Sequence, residues 1–318
     1  MTAAPADRPR RTIGHADETT SYLADAPVDV VRTLQRLAHG AADPTFRRTS
    51  DGDIWLTSSM PAGPATLRLV QVSASRVDAD GWGAGADQAL DGLPSLLGAH
   101  DDPGSFLPGR DDLTRALRSN PGLRIPRTGR VLASLVPAVL EQRVVGRTAT
   151  AAWRWLLDHH GVPAPGPAPL GMRVVPDADA WLQVPSWDFH RAGVDPGRAR
   201  TIRSCARAAR RLEEVTAMSP LEASRRLQAI PGVGPWTAAE VAQRALGDAD
   251  AVSVGDFHLA AAVGWALTGQ RVDDARMLEL LEPWRGHRYR VIRLLELSGL
   301  ARAPRRGPRA TITDHRRN

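Results

Sequence analysis

The sequence predicts a mainly α chain in which a small α+β domain with an antiparallel sheet precedes helical domains built around a helix-hairpin-helix. Three observations carry this reading. From Asp111 onward apolar residues recur almost entirely at helical spacing, as at Leu132, Leu135, Val136, Val139 and Leu140. Between Phe46 and Val77, short β-favouring runs (Ile54-Trp55-Leu56 and Thr66 to Val72) are separated by Gly, Pro and Ser clusters. Between Ser219 and Pro235 a helix start, a glycine turn and a second helix start follow one another without a gap.

Along the chain, residues 1–25 are polar without apolar periodicity and read as a disordered arm. Pro27 opens a helix in which Val30, Val31, Leu34, Leu37 and Ala38 recur at helical spacing until Gly40 stops it. This helix and the sheet make an α+β domain over residues 26–110, and residues 111–300 form the helical domain. There the helix of Leu132–Leu140 leads into Glu141-Gln142-Arg143, and Ala151–His160 follows, ended by Gly161. A Pro/Gly-rich linker, Val162–Leu170, joins helices across the surface. Arg198–Thr216, Pro220–Ala229, Pro235–Leu246, Phe257–Leu267 and Arg288–Leu297 read as further helices. Residues 301–318 are a basic, low-complexity tail expected to be disordered. No repeat of the solenoid kind occurs.

Composition narrows the function. A chain of 318 residues, 42% of them apolar, supports one large core or two moderate ones. No apolar run is long enough to span a bilayer and Met1–Arg11 lacks the apolar centre of a signal peptide, so a cytoplasmic protein without membrane partners is expected, associated with the nucleoid when on DNA. The single cysteine, Cys205, cannot form an intrachain disulfide or supply the thiolates of an iron–sulfur cluster, and reads as a small helical residue. Residues 1–100 hold 9 Arg against 12 acids and residues 101–318 hold 32 Arg against 23, so a net −3 gives way to a net +9. A basic excess confined to one region is the footprint expected for a polyanion. All 41 basic residues are arginine.

The hairpin follows from local chemistry. Ser219-Pro220-Leu221-Glu222 is a capping box with proline at the first helical position. Pro231 disfavours helical dihedrals at Ile230, Gly232-Val233-Gly234 places two glycines in the turn, and Pro235 starts the next helix. Free amides at that second N-terminus can hold a phosphate without any side chain.

Leu227-Gln-Ala-Ile-Pro-Gly-Val-Gly-Pro-Trp-Thr-Ala238 resembles the helix-hairpin-helix DNA glycosylase superfamily. Val254-Gly255-Asp256-Phe257-His258 falls where that superfamily carries its catalytic aspartate, and Leu135–Gln142 looks like its earlier helix, which ends in a glutamine near the lesion. With Trp236 and Pro283-Trp284-Arg285, the likeness is greatest to the 3-methyladenine DNA glycosylase II branch, whose members also carry an α+β domain ahead of the helices. The resemblance implies a monomeric N-glycosylase acting on double-stranded DNA that contains a damaged base, an alkylated purine in that branch. It implies Asp256 as the catalytic carboxylate beneath the sugar of an extruded nucleotide. It also implies Trp236 against the base, Gln142 and Arg143 at the lesion, Glu240 and Arg293 where the branch places pocket aromatics, and Gly232, Val233, Gly234, Thr237 and His258 against phosphate. A monovalent cation on the backbone carbonyls of Gln228, Ile230 and Val233 would bridge to phosphate; no other cofactor is required.

Lyase-competent glycosylases form a Schiff base with a lysine, commonly at the position matched by Trp236. A chain without lysine must use water, which makes the expected enzyme monofunctional. Other readings remain open at this level: Asp256 as a helix cap, Trp236 as a core residue, Arg143 as a phosphate contact, and the whole as a non-catalytic helix-hairpin-helix DNA-binding protein or an enzyme acting on a small molecule.

Overall fold

The computed structural model describes residues 15–301. Most of the expected arm and all but the first residue of the expected tail lie outside them. Five antiparallel strands, β1 (Glu18–Leu23), β2 (Phe46–Arg48), β3 (Ile54–Met60), β4 (Gly63–Gln71) and β5 (Arg76–Trp82), are ordered β1-β5-β4-β3-β2. Strand β1 corrects the reading of residues 1–25 as disordered throughout. Glu18 pairs with Gly81 and Leu23 with Arg76. Five of its six residues are exposed; it is held by the backbone of β5, so it shows no apolar alternation to read.

One sheet face buries Leu67, Leu69, Val77 and Ala79 against Val30 and Leu34 of the helix Val30–Leu34 and against Leu90, Leu93 and Leu97. That first helix is shorter than its apolar spacing suggests. Asp29 caps it, and a 3-10 turn, Gln35–Leu37, replaces its last turn. The other face carries Trp55 stacked on Trp82 at 5.4 Å, with Met172 beside them. The Val162–Leu170 linker therefore does more than cross the surface. Val162-Pro163 pairs with Arg173-Val174, and Gly166 sits so close to Trp82 that a Cβ there would lie 2.3 Å from its Cγ.

The helix Val131–Glu141 is the axis of a second core. The sequence suggested one apolar face, but nine of its eleven residues are buried, because helices surround it: Gly146–His160, Ala178–Gln183, Pro196–Arg207 and Pro235–Val241. Its N-terminus is capped from afar, Glu213 accepting from the N–H groups of Val131 and Leu132, both at 3.0 Å. The expected Arg198–Thr216 helix is broken into Pro196–Arg207, Ala209–Glu213 and a 3-10 turn, Glu214–Ala217, and the break places Glu213 under that N-terminus. Cys205 is buried in the first of these, and burial pushes its thiol up to about 12. A third core joins the helix Asp111–Ser119 to Leu259–Thr268, Asp274–Leu281 and Arg288–Leu297.

Candidate active site and nucleic-acid interface

The hairpin forms as its residues dictate. Ser219 accepts from the Glu222 amide at 3.4 Å, and Glu222 accepts from the Ser219 amide at 3.1 Å, starting the helix Pro220–Gln228. The Val233 amide donates to the Ile230 carbonyl at 3.0 Å and closes the turn. Gly232 has φ +91°, and a Cβ there would lie 2.0 Å from Thr201 Oγ1, so both dihedral and packing demand glycine. Gly234 corrects the expectation of two glycines with unusual dihedrals: its φ is −96° and nothing lies within 4 Å of a Cβ built there. It leaves the turn's outer face bare. No protein acceptor takes the amides of Gly234, Trp236 or Thr237 among the described residues.

The second helix is α-helical over Pro235–Val241 and widens into a π-turn, Ala242–Leu246, before Gly247 ends it at φ +70°. Such bulges re-aim side chains and recur at functional sites. Thr237 is buried, and its Oγ1 accepts from Gln142 Nε2 at 2.8 Å; the same nitrogen donates to the Gly232 carbonyl at 2.9 Å. Gln142 therefore ties the end of the Val131–Glu141 helix to the hairpin, and the Thr237 side chain is not free to meet DNA. Arg143, next in the chain, is exposed at φ +54°, the only non-glycine residue with positive φ among those described. Holding an arginine there costs of order 1 kcal/mol or more.

Asp256 is both a cap and a cavity residue. Its Oδ1 accepts from the amides of His258 (2.8 Å) and Leu259 (2.9 Å) at the start of the helix Leu259–Thr268. Its Oδ2 accepts from Trp236 Nε1 at 3.3 Å, so the tryptophan steers the carboxylate. Asp256 also lines a cavity of about 270 Å³ with Glu240, Gln243, Ser253, His258, Arg36 and Tyr289, and with Leu259, Ala262 and Ile292 as apolar wall. Of the residues expected near the base, Glu240 lies in this wall. Trp236 lies beside it, bonded to Asp256; Gln142 and Arg143 are not part of it. Arg293 also is not. It is buried and donates to Glu296 at 2.6 Å, and only Glu296 reaches the cavity. His258 is exposed, packed edge-on against Phe257, which is 90% exposed.

Glu240 is charged despite its burial. Loss of solvent disfavours its anion, but Arg244 (2.6 Å to Oε2), Arg36 and the Ser253 hydroxyl (2.5 Å to Oε1) outweigh that and hold the carboxyl below its ordinary range. Arg36 is likewise held charged against burial by Tyr289, Glu296 and Glu240. Sequence reading missed Arg36, Gln243, Ser253 and Tyr289. Gln243 and Ser253 had a signal: one lies one turn after Glu240 and the other three residues before Asp256. Arg36 had none, since its place is set by the fold, through its carbonyl accepting from Arg244 Nε at 3.2 Å across a separation of 208 residues.

No family model matches the sequence. Over 183 residues the chain is 33% identical to the "Probable bifunctional transcriptional activator/DNA repair enzyme AlkA" of two Mycobacterium tuberculosis strains, CDC 1551 / Oshkosh and ATCC 25618 / H37Rv. The match covers 55% of this chain and 36% of each relative, so the chain spans little more than a third of their length. Among solved structures, the 3-methyladenine DNA-glycosylase from Archaeoglobus fulgidus superposes with TM-score 0.74, at 17% identity over 88% of this chain and 98% of that one. A structure of MBOgg1 with a low-affinity DNA ligand superposes with TM-score 0.70, at 15% identity over 92% and 98%. The apo 8-oxoguanine glycosylase/lyase of Clostridium acetobutylicum also gives TM-score 0.70, at 12% identity over 88% and 96%. The fold is thus that of the DNA glycosylases, α+β domain included, and the resemblance read from the hairpin and Asp256 holds at the level of fold as well as sequence.

Proposed function

From this glycosylase fold we propose that the chain is a monofunctional DNA N-glycosylase of base excision repair, which extrudes a damaged nucleotide and hydrolyses its glycosidic bond. One observation carries the reading: Asp256, at the mouth of a base-sized cavity, is bonded to the helix whose N-terminal amides point away from the protein. The hairpin grips backbone phosphate, its bare Gly234 admitting the strand. Arg143, held exposed on a strained backbone, enters the gap left in the stack. As the bond breaks, positive charge builds on the sugar and the Asp256 carboxylate stabilises it, anchored by two amides and the Trp236 indole. Water attacks, since the chain has no lysine to form a Schiff base.

The carbonyls of Gln228, Ile230 and Val233 suit a monovalent cation. Those of Gln228 and Val233 accept no backbone hydrogen bond among the described residues, and Ile230 accepts one and keeps a second lone pair. A cation held there would add positive charge beside the phosphate.

The alkylated-purine substrate class rests on the likeness to AlkA, whose printed name is that of a DNA repair enzyme. The experiment is base release: duplexes carrying alkylated, deaminated or oxidised bases are incubated with the chain, and abasic sites are revealed by alkali. Breaks at one class of lesion are expected. Tight binding with no free base from any duplex would favour a DNA-binding protein without catalysis.

A further inference from the structure

The cavity beside Asp256 contains two polar wall atoms that nothing in the protein satisfies, Gln243 Oε1 and Arg36 Nε. A buried orphan of this kind costs roughly 1–3 kcal/mol, and a native structure holds few. A polarity chain fixes which amide atom of Gln243 is left over. Ionised Glu240 can only accept, so the Ser253 hydroxyl donates to its Oε1 at 2.5 Å. Ser253 Oγ must then accept, and Gln243 Nε2 donates to it at 2.9 Å and to the Ala251 carbonyl at 2.9 Å. Turning the amide over would set oxygen against the Ala251 carbonyl. The π-turn Ala242–Leu246 thus delivers an acceptor with no partner to the cavity wall. Arg36, arriving from the α+β domain, delivers a donor with none.

We infer that Gln243 and Arg36 are specificity-determining residues which read the edge of the extruded base, Gln243 Oε1 accepting an N–H and Arg36 Nε donating to a carbonyl or ring nitrogen. Glu240 is a positioning residue acting through Ser253. The base class is one whose edge keeps an N–H donor beside an acceptor, as a 6-oxopurine does; a base whose edge nitrogens are alkylated shut is refused. This selection by hydrogen bonding rests on the glycosylase reading above and adds to it a constraint that an aromatic cavity would not impose. Sites of this kind reject analogues lacking the hydrogen bond strongly, because the protein's own groups are then buried unpaired.

The test compares duplexes carrying a single hypoxanthine, which keeps N1–H beside its carbonyl, or a single 1,N6-ethenoadenine, which has no N–H on its edge. Single-turnover release by the full chain should favour hypoxanthine by at least about a hundredfold, and Gln243→Met should shrink that ratio by about tenfold or more. Equal release of the two bases by the unmodified chain, or an unchanged ratio in Q243M, would overturn the inference; if Q243M does not fold, the first comparison decides alone. If neither base is released, the hydrolase reading falls and affinity measured by fluorescence anisotropy decides this one. Binding about tenfold tighter to the hypoxanthine duplex supports it, and equal affinity overturns it.

Discussion

Asp256 does two things with one side chain, and the two readings open at sequence level are both true of it. It caps the helix Leu259–Thr268 and it faces the cavity, because an anchored carboxylate is what a developing cation needs. The glycines of the hairpin separate in the same way. Gly232 is there for the fold: Gly232→Ala should cost more than about 1 kcal/mol in urea unfolding, from its positive φ and the Thr201 clash. Gly234 is there for the partner: Gly234→Ala should change stability by less than about 0.5 kcal/mol yet weaken binding to duplex DNA. Comparable destabilisation by both would show that the turn's outer face is not a contact surface. Gly232, Asp256 and Glu240 could be singled out from sequence because each belongs to a motif or sits at helical spacing from one. Arg36 and Tyr289 could not, since only tertiary packing brings them to the cavity.

At the scale of elements, the capping box and Pro235 marked both hairpin helices almost to the residue, because capping and proline chemistry are local. Strand β1 was hidden because its stabilising bonds are backbone bonds to β5, and the widening at Ala242 was hidden because the residues there are ordinary helix formers. The Glu240 network on that widened turn sets a pH dependence. Its carboxyl lies below the ordinary glutamate range, so the stabilisation is complete at neutral pH and is lost as pH falls through the depressed value. Glu240→Gln leaves Arg244 and Arg36 facing a neutral amide, and should cost about 3 kcal/mol at pH 7. That difference should shrink below about pH 4, and urea unfolding across pH checks it. A difference independent of pH would mean that the charge on Glu240 is not what stabilises the turn.

For the molecule as a whole, the −3 of residues 1–100 against the +9 of residues 101–318 places the basic excess with the hairpin. Duplex affinity should therefore fall steeply with salt, log K declining by about 0.9 for each tenfold rise in salt per phosphate neutralised. A flat salt dependence would remove phosphate contact as the source of affinity. The absence of lysine makes a sharper statement: borohydride should trap no covalent adduct with damaged duplex, whereas an efficient trap would require another amine. The central claim is that Asp256 supplies the chemistry while the hairpin supplies the grip. The most direct measurement is single-turnover base release beside duplex affinity for Asp256→Asn. The asparagine should lose release by at least about a hundredfold and keep its affinity within about threefold. Release at an undiminished rate, or loss of both together, would contradict that division of labour.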